Sequence, residues 1–165
     1  MSPVHRLLAS LCVVLLLLTG LALAKDQETK IHKKDLPAVV QKAFERDFPL
    51  AKITGAAREN ENNVEYYEIT TTEHGTKRDV LYQADGGLVS VEEVIHLRDL
   101  PTVVRDGVMK AYPKGKIKSA EKITRASISS FEVVVKDGKR SYELAVAADG
   151  RITETEEKTG KEDND

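Results

Sequence analysis

Ser119 stands three residues before Lys122 in the stretch SAEK, and Lys158, Thr159 and Gly160 follow near the C-terminus. A serine with a lysine one helical turn on can do acyl transfer, because the lysine reaches the hydroxyl and takes its proton. That geometry needs a helix terminus. Ser119 instead lies in an alternating, strand-like run, where residues three apart face opposite sides. An S-D-N signature is absent, the chain is short for such an enzyme, and Lys158 opens a polar tail. His5 falls in an N-terminal segment expected to be removed, and His32, His74 and His96 fall in a linker, a hairpin tip and a connection. No H-E-x-x-H occurs, and residues 25–165 contain no cysteine, so a zinc site of the usual spacing is not available. Asp85 and Asp149 each precede glycine, but a calcium loop needs several oxygen ligands at alternating positions. They read as turn residues. The sequence therefore predicts no catalytic residue, no metal site and no cofactor.

The elements that would position any function are written twice. DLPAVVQKAFERDFPLAKI from Asp35 returns as DLPTVVRDGVMKAYPKGKI from Asp99, and residues 35–93 align with 99–157 without a gap at 15 identical positions. A fixed period of this kind marks a repeated structural unit. Asp35 and Asp99 are placed to cap a helix, with Pro37 and Pro101 in its first turn. Leu36, Val40, Ala43, Phe44 and Phe48 recur at helical spacing, answered by Leu100, Val104, Gly107, Val108 and Tyr112, and Pro49 and Pro113 end both helices. Alternating runs with Asp-Gly turns at Asp85-Gly86, Asp137-Gly138 and Asp149-Gly150 then predict four antiparallel strands in each copy.

Each helix should lie on one face of its sheet and leave the other face open. Tyr67, Ile69, Val80 and Tyr82, with Phe131, Val133, Leu144 and Val146 in the second copy, are expected under the helices. Val64, Tyr66, Leu81 and Gln83 alternate onto the open side, where their counterparts Ile128, Ser130, Ala145 and Ala147 are smaller or less aromatic. An apolar patch rimmed by charge is a common interaction site, so these four are the predicted protein-binding residues. Packing of outer faces on each other, or of a second copy in a homodimer, would also account for them.

Residues 1–24 combine a short basic start, a long apolar run and small residues at Ala22 and Ala24, which reads as a secretory signal peptide; an uncleaved membrane anchor is the alternative. Leu11 before Cys12 argues against lipidation there. Cleavage leaves no membrane span and 141 residues carrying 24 of the 25 Lys and Arg, since Arg6 is lost, and all 27 Asp and Glu. The resulting net charge of −3 does not suit nucleic-acid binding. An exported chain without cysteine depends on a packed core, which fits a periplasmic or secreted bacterial protein.

The DLP…VV…P…KI units, the YYEI and FEVVV strands, the ADG hairpins and the closing VSVEE and ITETEE strands resemble the PepSY-like family, described as similar in fold to the β-lactamase inhibitor protein. The resemblance covers the chain between its N-terminal linker and its acidic tail. It implies an exported, non-catalytic module that binds or inhibits a peptidase or other hydrolase, with an envelope or extracellular protein as partner; no contact residue transfers. The expected fold is α+β, two repeats of one helix plus a four-stranded antiparallel sheet, the sheets joining into one eight-stranded surface with both helices behind it. The expected divisions are a signal peptide at 1–24, a linker at 25–34, repeats at 35–95 and 96–157, and a disordered acidic tail at 158–165. A small-ligand sensor or carrier is the alternative function, and it would need an apolar cavity between sheet and helix.

Overall fold

A computed structural model describes residues 27–61 and 63–158. The expected signal peptide and the tail beyond Lys158 lie outside the described residues. The strands are β1 (Gln27–Lys30), β2 (Lys52–Glu61), β3 (Val64–Glu73), β4 (Thr76–Gln83), β5 (Leu88–Ile95), β6 (Lys116–Arg125), β7 (Ile128–Asp137), β8 (Arg140–Ala147) and β9 (Ile152–Lys158). Helix α1 (Ala38–Asp47) precedes β2, and α2 (Thr102–Ala111) precedes β6. All nine strands form one antiparallel sheet in sequence order.

Three expectations are corrected. The stretch 25–34, expected as a linker, contains β1 and the start of a 3-10 turn at Lys33–Asp35. β1 pairs with β2 through Lys30↔Ala57 and Glu28↔Glu59, which converts the predicted eight strands into nine. The two halves join into one surface as expected, because β5 pairs with β6 from Val91↔Thr124 to Ile95↔Ala120. Lys158, expected to open the disordered tail, is still in β9 and pairs with Ser141.

The helix starts also differ from the sequence reading. Leu36 precedes Pro37 and is extended at φ −65° and ψ 139°, as clash with the proline ring demands, so a helix cannot run through it from Asp35. Asp35 instead closes the 3-10 turn, its carboxylate accepting from the His32 N–H at 3.3 Å. Pro37 and Pro101 occupy the residue just before each helix.

Each helix buries one stripe on the sheet. Leu36, Val40 and Phe44 pack with Tyr67, Ile69, Val80 and Tyr82. In the second core, Leu100, Val104 and Val108 pack with Phe131, Val133, Leu144 and Val146. Val91 joins the first core and Ile95 the second; they are four residues apart on β5 and so share a face. Both helices therefore lie on the same side of the sheet. The Tyr82 hydroxyl donates to Asp47 at 3.2 Å and ties the end of α1 to β4. Burial first and the Asp47 charge second hold that phenol well above its ordinary pKa.

The β6–β7 hairpin turns through Ala126 and Ser127, both at positive φ (44° and 73°). Neither residue is suited to the left-handed region, which Asn-Gly enters at far lower cost. Ala126→Asn with Ser127→Gly is expected to stabilise the protein by about 1–2 kcal/mol. Urea unfolding checks this; an unchanged or lowered midpoint refutes the turn assignment.

Candidate functional site

The alternation that sends Tyr67 and Ile69 beneath α1 sends Val64 and Tyr66 to the helix-free side. Tyr66 pairs with Gln83 and Glu68 with Leu81, so the four expected residues sit together on one face. Val64 is exposed, Tyr66 half-buried and Gln83 exposed. Leu81 departs from the expectation, being only 5% exposed. It sits at the middle of the sheet between Glu68 on β3 and Ser90 on β5, with neighbours on both sides. In the second half Ile128 is 74% exposed at a hairpin end, while Ser130 and Ala145 keep that region low. Of the four, Val64 alone is a large apolar side chain that is exposed, so these residues do not build the apolar patch expected from them.

Carboxylates take its place. Glu59, Glu68, Asp79 and Glu92 follow one another across β2, β3, β4 and β5 on the helix-free side, with Asp79 directly opposite Glu92. Glu121 pairs with Glu132 across β6 and β7, and Glu143 pairs with Glu156 across β8 and β9. Like charges directly opposed in a sheet are unfavourable. Burial first and then Asp79 and Glu59 push Glu68 up to about 8. Glu132 is pushed to about 8 by burial and Glu143, and Glu121 to about 7 by burial and Glu92. Glu59 is raised as well, by burial and by Glu28, although it accepts a hydrogen bond from Glu68. Cations answer part of the charge: Lys77 bonds Asp79 at 3.1 Å, Arg125 stands 3.9 Å from Glu92, and Lys158 bonds Glu143.

Sequence reading missed this row, yet a signal was present. Glu68 and Glu92 match Glu132 and Glu156 at the 64-residue offset, and Asp79 matches Glu143. Identity at strand positions with no turn to form asks for another explanation, and the helix-free face supplies it.

Part of the row enters a pocket of about 330 Å³. Its floor is β2 at Gly55 and Ala57, where side chains are minimal, and Glu28, Glu68, Asp79, Lys30 and Lys77 stand around it. Asp79 is 7% exposed and Ser90 1% exposed, and neither Asp79 Oδ1 nor Ser90 Oγ has a hydrogen-bond partner. Both belong to the helix-free side by register. Buried polar atoms without partners are uncommon and costly. A second hollow of about 540 Å³ lies open to solvent between Gly107 and Lys110 of α2 and the turn at Asp149–Ile152.

The remaining sequence-level motifs resolve as structure. Ser119 pairs with Val134 on the helix-free side and Lys122 with Phe131 on the other, so they cannot form a nucleophile and its base. Asp85 Oδ1 and Asp149 Oδ1 accept the N–H groups of Gly87 and Arg151 at 2.9 and 3.0 Å, as side-chain-closed turns do. His32, His74 and His96 are exposed. Among the described residues no group of three or more His, Cys, Asp or Glu converges as a metal site, and no helix is long and apolar enough to cross a membrane.

A helix-backed antiparallel sheet with one bare face has counterparts among solved structures. A BLIP-like protein from Bacteroides fragilis superposes with a TM-score of 0.59 at 20% identity, covering 77% of this chain and 89% of that one. The fold is BLIP-like. A DUF2874 family protein from Bacteroides uniformis superposes on this BLIP-like fold with a TM-score of 0.63 at 19% identity, covering 73% and 88% of the two chains. A second DUF2874 family protein, from Bacteroides ovatus, gives 0.60 at 18% identity, with 73% and 86% covered. No family model matches the sequence, and no curated protein matches it.

Proposed function

We propose that this chain is an exported, non-catalytic binding module that holds an envelope or extracellular protein against the helix-free face of its sheet. The observation that carries the reading is that both cores sit on one side of the nine strands, leaving a broad face that no element of the described chain covers. The BLIP-like fold and the A-x-A pattern at Ala22 and Ala24 support export and a binding role. The recurrence of α1 and β2–β5 as α2 and β6–β9, 64 residues on, supports a duplicated PepSY-like unit. Inhibition of a hydrolase is one use of such a face. A symmetric homodimer through it would bring two acidic rows together, which like-charge repulsion opposes. A carrier would need an apolar enclosure beneath a helix, whereas the pocket at Gly55 is polar and on the bare side.

The test is capture from native envelope extract by residues 25–165, read by mass spectrometry. One variant changes the bare face (Val64→Ala, Tyr66→Ala) and another the exposed helix surface (Val39→Ala, Val103→Ala). A protein held by wild type and by the helix variant, and lost from a bare-face variant of unchanged melting temperature, is the expected result. Retention by all three would overturn the assignment.

A further inference from the structure

The acidic row has a length and a chemistry that select the kind of partner. Eight strand spacings of about 4.8 Å carry the sheet over roughly 38 Å, and carboxylates recur along much of that distance. We propose that the row takes an extended, cationic polypeptide segment, one of whose Lys or Arg side chains enters the pocket over Gly55. This rests on the bare-face reading and specifies its partner.

Four observations carry it. Gly55 and Ala57 leave the pocket floor clear, so a guanidinium or ammonium group can descend between Glu68 and Asp79. Asp79, which lines this pocket, is more than nine-tenths buried, and its Oδ1 lacks a partner and accepts what a cationic side chain donates. Lys30 and Lys77 line the same pocket, but Lys77 bonds the other Asp79 oxygen, Oδ2, and leaves Oδ1 open. The crowding that holds Glu68 near 8 would be relieved by an added positive charge.

Other occupants fit less well. An anion would meet the row itself. A single divalent ion needs several oxygens around one point, whereas these carboxylates are strung out across strands and do not converge in threes among the described residues. A small polyamine matches the charge but not the span.

The probe is a fluorescent peptide of about ten residues alternating Arg and Thr, long enough for the row at about 3.4 Å per residue. A Glu-Thr peptide of the same length, spermidine and calcium chloride serve as competitors. Anisotropy titration of residues 25–165 is expected to show saturable, salt-sensitive binding of the Arg-Thr peptide alone. Glu68→Gln with Asp79→Asn should weaken it about tenfold or more. Glu45→Gln with Asp106→Asn removes at least as much negative charge from exposed helix positions, since Glu68 is largely protonated near neutral pH, and should weaken it less than about twofold. Equal weakening by both pairs would reduce the effect to net charge and overturn the site. Saturable binding of spermidine or calcium without the peptide would overturn the polypeptide. A partner captured from extract that is lost from Val64→Ala, Tyr66→Ala but held fully by Glu68→Gln, Asp79→Asn would leave the bare-face reading standing and refute the cationic inference.

Discussion

Gly150→Ala is expected to cost about 2–4 kcal/mol of stability, more than Gly138→Ala, although both glycines have positive φ (85° and 59°). The difference lies in what surrounds them. A Cβ on Gly138 would meet nothing within 4 Å, so alanine there carries only the left-handed backbone cost of about 1–2 kcal/mol. At Gly150 it would also press into the Val103 carbonyl oxygen of α2, inside van der Waals contact. The approach is mutual, because a Cβ on Gly107 would strike the Gly150 carbonyl oxygen. In the first half Ala43 stands where Gly107 stands in the second, and Gly86 leaves a looser fit, its virtual Cβ 3.2 Å from Val39 and 3.4 Å from Ala43. Helix α2 therefore rides closer to its hairpin than α1 does. Urea unfolding of the two alanine variants checks this: equal losses would mean that helix and turn do not touch as described.

Melting temperature should fall as pH rises from 5 to 8.5, by about 5–15 °C. Glu68 and Glu132, at about 8, and Glu121, at about 7, lie above their value of 4.5 in an unfolded chain. Between those limits the folded chain binds more protons than the unfolded one, so stability decreases with pH. The contribution is fully present below about 4.5 and is lost as pH passes through 7 to 8. Glu68 and Glu132 are half-buried, so screening reduces the share of each to on the order of 1–2 kcal/mol, and Glu121, though buried, is the least shifted of the three. Asp47 has the opposite sign, since its hydrogen bond from Arg46 holds it below the usual carboxylate range, and its effect falls below the pH window tested. Glu132→Gln should flatten the pH profile and raise the melting temperature at pH 8.5. A profile rising from 5 to 8.5 would mean that the carboxylates are fully paired in the folded chain.

The same acidic row thus opposes folding at neutral pH and carries the proposed function, a conflict common at binding sites, where stability and activity compete. Folding tolerates it because two cores behind the sheet supply the burial.

Much of the fold was legible in the residues. Proline at 37, 49, 101 and 113 marked both helices, the alternation through Tyr67, Ile69, Val80 and Tyr82 marked their buried side, and Asp-Gly pairs marked hairpins that the structure closes with Gly86 and Gly150 at φ 85°. Local steric rules and side-chain periodicity act within a few residues, so sequence alone determines them. The short strand at Gln27–Lys30 escaped, because four polar residues carry no apolar period and gain strand geometry only by pairing with β2.

The candidate site was legible in part. Val64, Tyr66, Leu81 and Gln83 fell on the bare face as their alternation required, but the burial of Leu81 follows from its place between neighbouring strands. The acidic row needed the tertiary structure for the same reason. Glu68, Asp79 and Glu92 are 11 and 13 residues apart in sequence, and only strand register brings them side by side, where loss of solvent turns ordinary surface charges into a shared electrostatic load.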